Sequence, residues 1–305
     1  MDQAPFSAFA RLARFPRFGG SGPELGLWSN RPCSDGRTLF IQDASNAFDV
    51  SYAAAILIVI GSAAVTIAAA LAVDRLLSLE ARRRHHEVGS QVFQLIGIMF
   101  SVILAFVFSE VWGEYNTAKQ AVTAECSALH TAALLADSLP VRAGRPVSEK
   151  IRFYAQTVLG TEWQMMTRQQ RSLSAADTLE SALKTAAQLP RRESDDLDNR
   201  SQIVSLLSDA IAQRETRTFQ LTLGLPAAMW AVLILIALIL ISFVVLSGTE
   251  EPGTIIFAGS FTTSIVMVLV LVRMLDYPFQ GALAIGNDSF VTLNTQLASL
   301  LADGR

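Results

Sequence analysis

The residues of this 305-residue chain best suited to do chemistry are two acids and two bases that fall where a solvated charge would not. From Val111, steps of four and three pick out Tyr115, Ala118, Val122, Glu125, Leu129 and Ala132, which puts Glu125 on the apolar stripe of a helix. Further on, Ile203, Leu207, Ala210, Arg214 and Arg217 share one helical face in the same way. An isolated buried charge is too costly to keep, so Glu125, or Glu162 beside Trp163, is expected to pair with Arg214 or Arg217. Such a pair has two readings. It fixes the register of two helices, or it forms a charged vestibule that concentrates ions of one sign at a pore mouth.

The remaining candidates carry less. His85, His86 and Glu87 are adjacent, so on a helix they point in different directions and cannot share a metal. Cys33 and Cys126 lie in unrelated segments and suggest neither a disulfide framework nor a thiolate metal site. No nucleophile elbow, phosphate-binding glycine loop, dinucleotide fingerprint or paired-carboxylate set is present. An enzyme is therefore not expected, and neither a cofactor nor a metal is implied.

The elements that must hold the charged residues follow from composition. The chain is 51% apolar, with a formal net charge of −3 that offers no footprint for nucleic acid. Four stretches lack Asp, Glu, Lys and Arg: Val50 to Val73, Val88 to Ser109, Thr218 to Thr249 and Pro252 to Val272. Each has about the 20 residues that a helix needs to cross a bilayer. The charged residues are confined to the rest, which then has the charge density of an ordinary soluble protein. Pro226 marks the start of span three, and Gly248, Pro252 and Gly253 allow only a tight turn before span four. Small residues recur in span two at Gly97, Ser101, Ala105 and Ser109, and in span one at Gly61, Ala64, Ala68 and Ala72, which suits close packing of helices within the bundle. Span two also carries Phe93 and Phe100 on either side of Gly97, rings of a kind that gates a pore by dewetting.

The fold expected is all-α: a four-helix transmembrane bundle with a helical extramembrane domain formed mainly by the loop between spans two and three. Residues 1–49 form a tail expected to be disordered, 50–112 spans one and two, 113–217 the soluble domain, 218–275 spans three and four, and 276–305 a C-terminal tail. Span two should continue out of the membrane to about Leu135 and stop at Leu139 and Pro140. A helix is expected to begin near Pro146, another to cover Ser174 to Leu189, and the run Pro190 to Asp198 to form a loop. The helix of Arg214 and Arg217 should run on into span three. Arg75 and Arg82 to Arg84 in one short loop oppose Glu250 and Glu251 in the other as topology signals, with cytoplasmic termini slightly favoured.

Laid out in this order, the chain resembles the bacterial bestrophin-like family of four-span membrane proteins. The resemblance rests on Gly89 to Leu129, on Tyr154 with Glu162 and Trp163, on the run from Arg214 to Trp230 with its Pro226, and on Leu275 to Gly281 with Asp276, Pro278, Phe279 and Gly281. At greater distance it resembles the bestrophin anion channels. That resemblance implies a homo-oligomer, a pentamer in bestrophins, in a bacterial inner membrane, with span two lining a pore for small anions such as chloride. The constriction would then fall at Phe93, Gly97 and Phe100. No acidic calcium clasp follows span four, so calcium gating is not implied. The alternative is a non-conducting scaffold or sensor whose helical domain binds a partner.

Overall fold

The computed structural model describes residues 51–76, 86–189, 194–247 and 252–303. The tail 1–49, the arginines at 82–84, the acids at 250–251 and the side chains of the His85 to Glu87 run lie outside the described residues. All the regular structure described is helical, and four helices are long and apolar enough to cross a membrane.

Helix α1 (Tyr52–Leu76) is span one. Helix α2 (His86–Asp137) is span two and its continuation, 52 residues without a break. At 1.5 Å per residue it reaches about 78 Å, more than twice the thickness of the hydrocarbon core. Helix α3 (Val141–Thr157) passes through a π-helical turn (Val158–Glu162) into the short α4 (Trp163–Met166). Then come α5 (Leu173–Ala187) and α6 (Ser194–Phe219). Helices α7 (Ala227–Leu246) and α8 (Pro252–Leu275) are spans three and four, and α9 (Asp288–Asp303) follows.

Outside the membrane, α2 packs along α6 and against α3 and α9, while α5 closes over α3 and α6. This core is built of alanines and branched aliphatics such as Ala118, Leu129, Ile151, Leu179, Leu207 and Phe290. In the membrane, α2 packs on α7 and α8, whereas α1 lies against α8 and, less closely, α7. The small-residue stripes of spans one and two therefore do not meet. Ser101, Ala105 and Ser109 are exposed on the outside of the protomer, as are Gly61, Ala64, Ala68 and Ala72.

Several boundaries differ from expectation. Helix α3 starts at Val141, with Pro146 inside it, because Pro140 has the extended geometry of a helix cap and its carbonyl accepts the N–H groups of Ala143 and Gly144. Residues 194–198 belong to α6 and not to a loop. Helix α6 does not run on into span three: it stops at Phe219, a turn and an extended stretch follow, and α7 begins after Pro226. Proline disfavours helix in the residue before it, which accounts for the break. Much of the segment from 276 onward is a folded helix, with Phe290, Leu293 and Leu297 buried in the soluble core.

Candidate functional site

The four charged residues singled out by spacing converge in the soluble domain. Glu125 comes from α2, Glu162 from the π turn, and Arg214 and Arg217 from successive turns of α6. Glu125, Glu162 and Arg217 are fully buried, and Arg214 nearly so. Arg217 Nε donates to Glu125 Oε2 at 2.8 Å, and its Nη2 donates to Glu162 Oε2 at 3.1 Å. Arg214 Nη2 donates to Glu162 Oε1 at 2.5 Å and to the Ser172 carbonyl at 2.8 Å. The Tyr154 hydroxyl donates to Glu125 Oε1. The result is a chain of alternating charge, Glu125 to Arg217 to Glu162 to Arg214. Two acids balance two bases, which is what lets four ionic groups stay out of water.

Local structure makes the convergence possible. Tyr154, Val158, Glu162 and Met166 are all fully buried at intervals of four. A straight α-helix would drift by about 40° at each such step. The π turn has more residues per turn and holds the four in line, and turns of this type recur at functional sites. After α4, Gln169 adopts a left-handed φ of 57°, which doubles the chain back. Ser172 then caps α5 with its side chain and presents its carbonyl to Arg214.

Aromatic rings close the site. The Arg217 guanidinium lies 5.4 Å from the Phe290 ring and 5.8 Å from that of Trp163, and its Nη1 contacts the Met166 sulfur. Burial alone would lower the Arg217 pKa, but Glu125, Tyr154 and Glu162 together raise it, so it stays charged. Burial, then Glu125, pushes the Tyr154 phenol well above its ordinary range, so it stays a donor. Burial and Glu125 also push the Cys126 thiol up to about 12. No group of three His, Cys, Asp or Glu suited to a metal occurs among the described residues. The arrangement is an ion lock joining α2, the π turn and α6.

A second polar centre ties the start of span three to the end of span four. Asp276 is buried, accepts the Leu225 N–H at 2.8 Å and faces the Trp230 indole N–H at 3.4 Å. It therefore caps the extended stretch that Pro226 forces ahead of α7. Arg273 stacks on Tyr277 at 4.0 Å. Gly281 has a φ of 76° in a turn closed by Ile285 N–H donating to the Pro278 carbonyl. Phe279 packs edge-on against Trp163 and so links the two centres.

Spacing alone missed the Tyr154 hydroxyl, the Ser172 carbonyl and Phe290. The signal for Phe290 was present in the three-four spacing of Phe290, Leu293, Leu297 and Leu300. The expected constriction is placed differently. Phe100 is buried in the protomer's own bundle, and Phe93 stacks on Phe243 at 4.8 Å and meets Phe261 at 5.8 Å. Both rings pack against spans three and four of the same protomer. Gly97 has open space beyond it.

Residues 60–290 match the Bestrophin-like domain. The chain belongs to the bestrophin-like family. No curated protein matches it by sequence. Among solved structures, it is similar to a bacterial bestrophin homologue from Klebsiella pneumoniae, crystallised with a single substitution, at a TM-score of 0.65 and 13% identity, covering 80% of this chain and 99% of that one. A second substituted form from the same organism gives a TM-score of 0.65 at 14% identity, covering 79% and 99%. At such identities the likeness establishes the fold. The bestrophin-like chain described here is thus a multi-pass membrane protein with an all-helical fold of that type.

Proposed function

We propose that this bestrophin-like protein assembles as a homo-oligomer, pentameric as in bestrophins, in a bacterial inner membrane and conducts small anions such as chloride along an axis lined by α2. One observation carries the reading. Within the membrane, Val92, Leu95, Met99, Val102 and Phe106 recur in steps of three and four and are all exposed. From the end of the span outward, Ser109, Gly113, Thr117, Gln120, Ser127 and Thr131 continue the same exposed face.

Lipid explains an apolar face within a bilayer but not an uncharged one beyond it. At 100° per residue, Glu114, Lys119, His130 and Asp137 all lie to the sides of this face, and Glu110 stands at its edge. A helix face left unpartnered at a seam-like spacing suits packing against, or facing, symmetry-related copies. Its apolar part would form the constriction and its hydroxyl and amide part the vestibule. Leu95, Met99 and Phe106 replace Phe93 and Phe100 as the candidate constriction. Family resemblance and the absence of acids from the spans support anion selectivity.

The test is recording from the purified oligomer in planar bilayers. Currents that reverse near the chloride equilibrium potential are expected. A verified oligomer that carries no current would overturn the channel reading and leave a scaffold or sensor.

A further inference from the structure

The soluble domain has a cleft of about 420 Å³ between α3 and the last turns of α9. One wall is α3, with Arg145, Glu149, Arg152 and Gln156 beside the exposed ring of Phe153; the other is the apolar edge of Ala298, Leu301 and Ala302. The volume falls within the range of small-molecule sites. The charges are unequally engaged. Arg145 Nε donates to Glu149 Oε1 at 3.0 Å in a partly exposed pair, which neutralises both. Arg152 has no acidic partner among the described residues; its Nε is buried without an acceptor, as are those of Arg200 and Arg214, and is closed to an occupant of the cleft.

We propose that this cleft is a binding site for an amphipathic organic monocarboxylate. The described residues of the lining carry one unbalanced positive charge, which one carboxylate neutralises. A planar guanidinium suits a carboxylate held through two parallel hydrogen bonds from its Nη groups. Phe153 and the α9 edge supply an apolar surface for a ring or short alkyl chain. Gln156 adds a neutral amide. The helices that form the cleft also carry Tyr154 and Phe290 to the ion lock, so an occupant bridges two of its supports. The cleft is lined by no residue of the proposed pore face, and binding there does not depend on conduction.

The experiment measures saturable binding of phenylacetate to the full-length protein in lipid nanodiscs by ligand-detected saturation-transfer NMR, with 2-phenylethanol as the uncharged analogue of the same frame and empty nanodiscs as the partition control. Phenylacetate is expected to bind saturably and 2-phenylethanol about tenfold more weakly, the scale of one charge-assisted hydrogen-bonded pair. Arg152→Gln should abolish that preference, and Ala298→Trp, which fills the cleft from the opposite wall, should abolish binding while leaving Arg152 in place. Absence of saturable binding to the native protein overturns the proposal. So does undiminished binding to a folded Arg152→Gln or Ala298→Trp protein, which would leave Arg152 a structural residue of the α3 to α9 contact.

Discussion

Arg217 sits between two acids, and that arrangement sets what substitution there must do. Arg217→Met leaves Glu125 and Glu162 buried without their shared cation, an expected cost of about 3–5 kcal/mol. Denaturant unfolding of the detergent-solubilised protein would measure it. A one-to-one pair would survive exchange of its members. The double variant Glu125→Arg, Arg217→Glu should not recover, because the new acid would face Glu162, and recovery would mean that Glu162 is not a partner. Cys126 lies beside this lock with its thiol pushed up to about 12, so it should resist maleimides near pH 7 until the protein is unfolded. It therefore cannot report on topology. An introduced cysteine at the exposed Thr123, in a chain without native cysteines, would do so; cytoplasmic termini predict protection from an impermeant reagent in intact cells. Asp276 behaves differently. Burial raises its pKa against the opposing pull of the Leu225 N–H, the Trp230 indole and Arg273, and Glu114 nearby is raised by its own burial and by Asp276. A raised native pKa means that the folded state holds the proton longer than the unfolded one. The stability linked to these acids is complete below the ordinary carboxylate range and is lost as pH rises through the raised values. Asp276→Asn should flatten that decline in unfolding measured from about pH 4 upward.

At the scale of elements, the corner between α2 and α3 holds the most tightly enclosed of the described glycines. A Cβ on Gly144 would fall on the Ala136 carbonyl oxygen at the end of α2, and backbone on both sides leaves no flexible side chain to yield. Gly144→Ala is expected to destabilise by at least about 1–3 kcal/mol, measured by thermal unfolding. That close approach was invisible in the sequence, where Pro146 drew attention as a helix start. Other elements were legible for identifiable reasons. The charge-free runs marked the spans because lipid admits little else, and the stripe from Tyr115 to Ala132 revealed α2 as continuous because half-buried helices alternate by face. Within a span that logic fails. Phe93 and Phe100 are apolar among apolar neighbours, so nothing in their spacing says whether they face lipid, a pore or the protomer's interior. The break after Phe219 escaped notice because Gln220 to Leu225 carry no charge, and only Pro226 stood out as a boundary, the start of span three.

Taken whole, the molecule couples its two halves through one unbroken helix, α2, and one latch. Helix α2 carries Glu125 of the ion lock and the membrane face of Met99, while Asp276 and Phe279 tie the ends of spans three and four to Trp163 at the lock. The charged centre was legible because acids and bases on apolar stripes must find one another. The uncharged outer face of α2 became evident only once its inner face was covered. That outer face is the central claim, and substituted-cysteine block of single reconstituted channels tests it most directly. With Met99→Cys and Thr117→Cys in a chain without native cysteines, a charged methanethiosulfonate should block or markedly reduce the chloride current, whereas the same reagent on Ile256→Cys, on the exposed outer surface of span four, should leave it unchanged. Current insensitive to modification at both α2 positions, yet altered by modification at Ile256→Cys, would contradict the account.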